Sequence, residues 1–132
     1  MTIPNSVVTI GGWAFASCPC LPSINIPNSV LTIEEGAFSG CGLTSVNIPN
    51  SVTTIGDGAF YGCYDMTSVT IPNSITTIGE GVFGESGLTS VNIPNSVTTI
   101  GIGAFYQCKG LTSVTIPESV ISIGEYAFDG CI

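Results

Sequence analysis

The chain has 132 residues, enough for one domain with a continuous core. Nine carboxylates stand against one cation, Lys109, and no histidine, so a net charge of -8 works against binding to nucleic acid, which needs Lys and Arg to neutralise phosphate. The hydrophobic residues (44% of the chain) occur in short clusters, which excludes the run of about 20 apolar residues expected of a membrane-spanning helix.

A repeat of 22 or 23 residues runs through the whole sequence. Its clearest marks are an Ile-Pro pair and a phenylalanine in every unit. The pairs are Ile3-Pro4, Ile26-Pro27, Ile48-Pro49, Ile71-Pro72, Ile93-Pro94 and Ile116-Pro117, and the phenylalanines are Phe15, Phe38, Phe60, Phe83, Phe105 and Phe128. A fixed period of this length predicts a single, mainly β solenoid of six units that spans residues 1–132.

The unit at positions 88–109 illustrates the predicted elements in chain order. Ser90-Val91-Asn92-Ile93 alternates polar and apolar side chains, as in a half-buried strand, and Pro94 ends it because proline has no N–H for a ladder. A turn follows, then a second short extended or bent segment at 97–100, and then glycines that allow a sharp change of direction. One apolar layer per coil results, and it is stable only when the next coil covers it. In this unit the layer is Leu88, Val91, Ile93, Val97, Ile100, Phe105 and Cys108.

The unit L-x-x-V-x-I-P-x-S-V-x-x-I-G-x-x-A-F-x-x-C, which recurs over essentially the whole chain, resembles the BspA-like, or Treponema-type, leucine-rich repeat of bacterial surface antigens. The resemblance implies a curved solenoid with a parallel sheet on one face and short turns or single helical turns on the other. It also implies a protein at the surface of host-associated bacteria or some protozoa, often acting in adhesion. With strands about 4.8 Å apart, six coils would form an arc about 30 Å long.

Two motifs that could suggest chemistry are better explained by the repeat. The stretch 79–84 matches the G-x-G-x-x-G of dinucleotide sites, but its glycines recur in other units and no βαβ pattern surrounds them. Glu35, Asp57, Glu80 and Glu125 share one repeat position and could collect calcium; the interruption at Ile102 and the lack of an Asp-rich loop favour a solvated stripe. We therefore expect no metal and no other cofactor.

Five of the six cysteines share one repeat position, at which Ser86 replaces the thiol in the fourth unit. They are Cys18, Cys41, Cys63, Cys108 and Cys131. Without C-x-x-C spacing or histidine partners, they predict a ladder of buried thiols, with disulfides left open if the compartment is oxidising. Cys20 lies outside the ladder, so it is the predicted exposed thiol and a candidate for intermolecular linkage.

Two sets of side chains are candidate contacts for a partner. Polar residues that alternate with the strand core would form a neutral hydrogen-bonding sheet suited to a protein or a glycan. These residues are Ser45, Asn47, Ser68, Thr70, Ser90, Asn92, Ser113 and Thr115. The second set comprises aromatic residues that break the repeat rule and are expected to be exposed, where they would supply contact energy at an interface. They are Trp13, Tyr61, Tyr64, Tyr106 and Tyr126.

Both ends lack the polar capping units with which solenoids usually finish. The sequence begins at Met1 within an expected strand and stops at Ile132 directly after Cys131. This predicts either a piece of a longer repeat array or a homo-oligomer that stacks head to tail, a contact that does not close on itself and gives fibres.

The absence of histidine, of an activated nucleophile and of a phosphate loop in context argues against an enzyme. The leading hypothesis is a non-catalytic, adhesin-like binding module, extracellular or at the cell surface, whose export signal is not present in this chain. It would bind a protein or a glycan, without binding nucleic acid or inserting into a membrane. Its rivals are a structural subunit that stacks into filaments and an ice-binding protein, the latter suggested by threonine pairs at 53–54, 76–77 and 98–99.

Overall fold

A computed structural model describes residues 1–131 as a stack of coils in which every strand pairs in parallel with the strand of a neighbouring coil. The strands are β1 (Thr9–Ile10), β2 (Thr32–Ile33), β3 (Ser45–Asn47), β4 (Thr54–Ile55), β5 (Ser68–Thr70), β6 (Thr77–Ile78), β7 (Thr99–Ile100) and β8 (Ser122–Ile123). Turns connect them, and residues 1–131 contain no helix, hence none that could cross a membrane. The predicted repeat solenoid is confirmed, with turns in place of helical turns.

The strands form two separate faces of the stack. Six of them carry the Thr-Ile or Ser-Ile pairs and form the sheets β1-β2-β4 and β6-β7-β8, in which Thr32 lies opposite Thr54 and Thr77 opposite Thr99. The other face holds the pair β3-β5, with Ser45 opposite Ser68 and Asn47 opposite Thr70. The register is that of the sequence repeat, because equivalent residues of successive units are paired.

The structure corrects the prediction of a strand at Ser90–Ile93. Residues 90–93 and the equivalent residues 113–116 are outside the strands, although the N–H of Thr89 still donates to the Thr67 carbonyl oxygen at 3.2 Å. Beyond Thr89 the backbone N–H groups of this segment donate to no carbonyl oxygen of the preceding coil, so no ladder forms, although the equivalent segments pair as β3 and β5. The second segment, for which an extended or a bent conformation was expected, is extended and holds most of the paired strands.

A column of phenylalanine rings forms the axis of the core. Successive rings are stacked with centroids 5.2–5.7 Å apart, and Phe38, Phe60, Phe83 and Phe105 are fully buried. The apolar layer predicted for the unit at positions 88–109 is confirmed. All of its side chains are buried except that of Val91, which is half-buried. Each ring therefore needs the ring of the neighbouring coil to exclude water from its face.

The turn that carries each phenylalanine is hydrogen-bonded to the same turn in the next coil. The backbone N–H groups of Gly36, Phe38 and Gly40 donate to the carbonyl oxygens of Asp57, Ala59 and Tyr61 at 2.8–3.0 Å. Gly36 and Gly40 have φ values of 61° and 69°, a conformation in which glycine has no Cβ to clash. Side chains in the turns are thus held at the same spacing as those in the strands.

Serine hydroxyls add a ladder of hydrogen bonds next to the Ile-Pro turns. Ser74, Ser96 and Ser119 donate from Oγ to carbonyl oxygens of the preceding coil at 2.6–2.7 Å. The equivalent hydroxyls of Ser29 and Ser51 are buried and have no hydrogen-bond partner among the described residues.

This difference predicts opposite effects of the same substitution. Ser96→Ala should lower the free energy of unfolding by about 1 kcal/mol, because it leaves the Ile75 carbonyl oxygen unpaired. Ser51→Ala should leave stability unchanged or raise it, since it removes a buried hydroxyl that forms no bond. Urea denaturation followed by circular dichroism measures both, and equal losses in the two variants would contradict the assignment.

Candidate binding surfaces

The eight predicted strand-face residues are all exposed. None of their side chains forms a hydrogen bond within residues 1–131, whereas the residues just before them do: Thr44 and Thr67 donate from Oγ1 to the carbonyl oxygens of Pro22 and Thr44. The strand face is thus a row of exposed hydroxyl and amide groups that the fold does not use. Only Ser45, Asn47, Ser68 and Thr70 lie in a paired sheet, β3-β5; the other four predicted residues are exposed but lie outside the strands.

The threonine rows on the other strand face are less regular than their sequence indicates. Thr53 and Thr98 donate from Oγ1 to carbonyl oxygens of the preceding coil, so their hydroxyls are engaged by the fold. The same repeat position holds Leu31 and Ile121, which are 48% and 85% exposed. A continuous array of free threonine hydroxyls, which the ice-binding hypothesis requires, is therefore limited to a few coils.

The aromatic residues differ in exposure from the prediction. Trp13, Tyr64 and Tyr126 are exposed as expected, with 58–69% of their surface accessible. Tyr61 and Tyr106 are half-buried, which corrects the expectation that they are exposed. Tyr61 lies flat over the next coil because the equivalent residue there is Gly84, where an added Cβ would come within 2.8 Å of the Tyr61 ring.

Glu85 connects two of these tyrosines. The hydroxyl of Tyr61 donates to one carboxylate oxygen of Glu85 at 2.6 Å, and the hydroxyl of Tyr64 donates to the other at 3.0 Å. The hydrogen bond to this carboxylate, assisted by partial burial, raises the pKa of Tyr61 to about 12. Glu85 has a φ of 53°, at a position that is glycine in three other coils. The sequence contained no signal for this cluster, because its three residues belong to two different coils.

A groove lies between Tyr61 and Tyr126 on the turn side of the stack, which is the side formed by the turns that carry the phenylalanines. We call it the turn groove; it encloses about 390 Å³ and is lined by Tyr61, Glu80, Gly81, Ile102, Gly103, Tyr106, Tyr126 and Asp129. A second hollow of about 400 Å³, bounded by Trp13, Glu35 and Asp57, shares Tyr61, Glu80 and Gly81 with it. The turn side therefore carries a groove that the strand-face prediction did not include.

The carboxylates that share one repeat position, which we call the acidic stripe (Glu35, Asp57, Glu80 and Glu125), are not arranged as metal ligands. No group of three or more His, Cys, Asp or Glu residues within 1–131 is arranged to hold a metal ion. One of its members is engaged by the backbone, since the Asp57 carboxylate accepts the N–H of Glu80 at 3.0 Å. The glycines of the G-x-G-x-x-G match belong to the repeat's turn, as predicted: Gly81 has a φ of 61°, like Gly36 and Gly58.

The predicted ladder of buried thiols is confirmed for its three inner members, whereas Cys18 and Cys131 at the two ends are half-buried; all six thiols are free. Cys41, Cys63 and Cys108 are buried, and the last two donate to the carbonyl oxygens of Phe38 and Phe83 at 3.2 and 3.1 Å. Burial raises the pKa of the Cys63 thiol to about 12 and raises that of Cys108 as well, so these thiols are protonated at neutral pH. Cys20 is exposed, as predicted, and its role in intermolecular linkage stays a prediction.

The raised pKa values predict that the protein loses stability in alkali. The pKa of Cys63 rises from 9.0 and that of Tyr61 from 10.0, both to about 12, so the folded chain holds these protons more tightly than the unfolded chain. Their stabilising contribution is complete below pH 9 and is lost as the pH rises toward 12. Each group contributes a slope of at most about 1.4 kcal/mol per pH unit.

Urea denaturation under reducing conditions, repeated at increasing pH, tests this expectation. Cys63→Ser should make the alkaline loss of stability shallower, and Cys20→Ser, which alters an exposed thiol, should not change it. A pH profile that is the same in wild type and Cys63→Ser would show that the buried thiol is not responsible.

Comparison with solved structures gives seven matching chains, including the following three. A leucine-rich repeat protein from Bacteroides ovatus has 34% identity and a TM-score of 0.96 over 98% of this chain and 34% of its own. The T. pallidum leucine-rich repeat protein has 35% identity and a TM-score of 0.92, over 98% of this chain and 62% of its own. A leucine rich cell surface protein from Faecalibacterium prausnitzii has 30% identity and a TM-score of 0.63, over 99% of this chain and 45% of its own.

The chain therefore spans between one third and two thirds of the length of these three structures. None of the curated proteins compared with it matches. The sequence profile of the BspA type leucine rich repeat region matches six copies, in residues 1–110 and 82–132, which together include every unit. The chain belongs to the BspA type leucine-rich repeat family.

Proposed function

We propose that this chain is a non-catalytic, adhesin-like binding module that works outside the cell and holds a protein or glycan partner on its strand face. The observation that carries the proposal is the row of exposed strand-face side chains whose hydrogen-bonding groups are unused within residues 1–131. Such groups can pair with a partner without breaking any bond of the fold.

Further support comes from the shape of the fold and from its relatives. A stack of identical coils presents equivalent groups at a constant spacing, which suits an extended partner. A similar structure is described as a cell surface protein, in keeping with an extracellular location. The charge of -8 argues against nucleic acid as the partner.

Binding to purified extracellular-matrix proteins and to a glycan panel tests the proposal. Because Asn47 and Thr70 lie opposite each other in adjacent strands, the double variant Asn47→Arg/Thr70→Arg should block the face and weaken binding at least tenfold, about 1.4 kcal/mol. Thr76→Arg places one arginine on the other strand face and should have little effect. Binding that survives the double variant, or is lost only in Thr76→Arg, would exclude the strand face.

The rival functions have readouts of their own. Fibres of the purified chain in electron micrographs, lengthening with concentration, would favour the subunit that stacks head to tail into filaments. Thermal hysteresis would favour ice binding, which the engaged hydroxyls of Thr53 and Thr98 argue against. A monomer that shows neither and binds through the strand face supports the binding module.

A further inference from the structure

The turn groove has apolar walls that no other part of residues 1–131 covers. Three tyrosines and Ile102, which is 49% exposed, line it, while the outermost tyrosine, Tyr126, is 65% exposed. In the sequence Ile102 merely interrupts the acidic stripe; in the fold it joins the rings of Tyr61 and Tyr106 in one groove. Exposed aromatic and aliphatic surface of this kind is typical of a contact site.

Two glycines of the turns, Gly81 and Gly103, line the floor of the turn groove. Gly36, Gly58, Gly81 and Gly103 share one repeat position and have φ values of 59–61°. The same position holds Trp13 in the first coil and Tyr126 in the last, both with a φ of 59°. At Gly81 and Gly103 no side chain fills the turn groove, and Tyr61 and Tyr126 bound it on either side.

Charge decides what this groove can accept. Seven of the nine carboxylates lie in the segments that carry the phenylalanines, residues 34–40, 57–62, 80–85 and 125–130, which we call the turn segments. Glu80 and Asp129 line the groove itself. The cation Lys109 lines a different hollow, with Tyr64 and Glu85. Aromatic ring faces beside carboxylates match an ammonium or guanidinium group, which is attracted by both. A second copy of this chain, also with a charge of -8, would be repelled.

We propose that the turn groove binds an extended, Lys- or Arg-rich segment of a partner protein, as a second contact surface distinct from the strand face. From Tyr61 to Tyr126 the turn groove spans three coil steps, about 14 Å, which corresponds to about four residues of extended peptide. Alternate side chains of such a peptide point the same way, so basic residues at every second position would face the groove. The contact is electrostatic in part and weakens with salt.

A fluorescent peptide of about nine residues alternating Lys and Ser tests the proposal, with the matching Glu-Ser peptide as its control. Anisotropy should show binding at least ten times tighter for the Lys peptide, and several-fold weaker binding when NaCl rises from about 20 to about 300 mM. No measurable binding of the Lys peptide, or equal binding of the two peptides, would overturn the proposal.

Two variants report on the groove. Tyr126→Gly installs the glycine that four other coils have at this φ, so it should keep the stability of the chain. The affinity for the Lys peptide should fall at least fivefold. Glu80→Gln removes a groove carboxylate without changing side-chain size and should have a similar effect. Urea denaturation confirms that both variants are folded.

Two controls separate this groove from general charge attraction and from the strand face. Glu118→Gln removes a carboxylate outside the turn segments, and Thr70→Ala alters the strand face; each should change peptide affinity less than twofold. Equal losses in Glu118→Gln and Glu80→Gln would show non-specific attraction and overturn the proposal. So would a Tyr126-dependent site that takes a neutral oligosaccharide and not the peptide. None of these results bears on the strand-face proposal.

Discussion

Replacing Phe60 by alanine is expected to lower the free energy of unfolding by about 3–5 kcal/mol. The ring is fully buried and stacked between Phe38 and Phe83, with centroids 5.2 and 5.7 Å away. Its removal leaves a cavity in the middle of the column, and the two neighbouring coils are held by backbone hydrogen bonds too closely to collapse into it. Because every coil depends on its neighbours, the loss should affect the whole stack.

Urea denaturation monitored by circular dichroism measures this loss, and two variants serve as controls. Phe60→Leu keeps an apolar side chain in the column, so it should lose less than the alanine variant and remain measurable if that variant is unfolded. Phe128→Ala removes a half-buried ring with a single stacked neighbour, Phe105, and should cost about half as much. Equal losses at Phe60 and Phe128 would contradict the view that the column holds the coils together.

Gly56→Ala is expected to cost about 3 kcal/mol, the upper end of the range for overpacked positions. An added Cβ would touch the backbone nitrogen of Glu35 and lie 2.6 Å from the carbonyl carbon of Glu34. These are main-chain atoms of the preceding coil, so the clash is relieved only by separating two coils and weakening their hydrogen bonds. An Ile-Gly pair recurs in five of the six units, and the close approach of two backbones explains the glycine at Gly56.

Gly58→Ala provides the comparison, two residues away in the same turn. There the nearest atom to an added Cβ is the Tyr61 Cβ at 3.8 Å, and the cost is confined to the positive φ of 61°, about 1 kcal/mol. Thermal and urea denaturation of both variants should therefore rank Gly56→Ala as clearly more harmful. The reverse order would mean that backbone conformation, and not the contact between coils, requires these glycines.

The sequence predicted most of the fold because each unit repeats the same local pattern. The spacing of Ile93, Val97, Phe105 and Cys108 identified one core layer, and a fixed period left stacking as the way to bury it. The strand at 90–93 could not be judged in the same way, because pairing depends on the distance between the backbones of two coils, and the same residue pattern does pair at 45–47 and 68–70.

Some features of the candidate sites could be predicted from the sequence, and others required the tertiary structure. The sequence by itself determined the repeat, the buried column and the outward direction of residues such as Asn47 and Thr70, since alternation within one strand decides which side chains face water. Only the tertiary structure decided that Tyr61 lies over Gly84 and that Ile102 joins tyrosines of other coils in a groove. Those contacts join residues about one or more repeats apart, and their geometry depends on the side chain that each neighbouring coil carries at the same position.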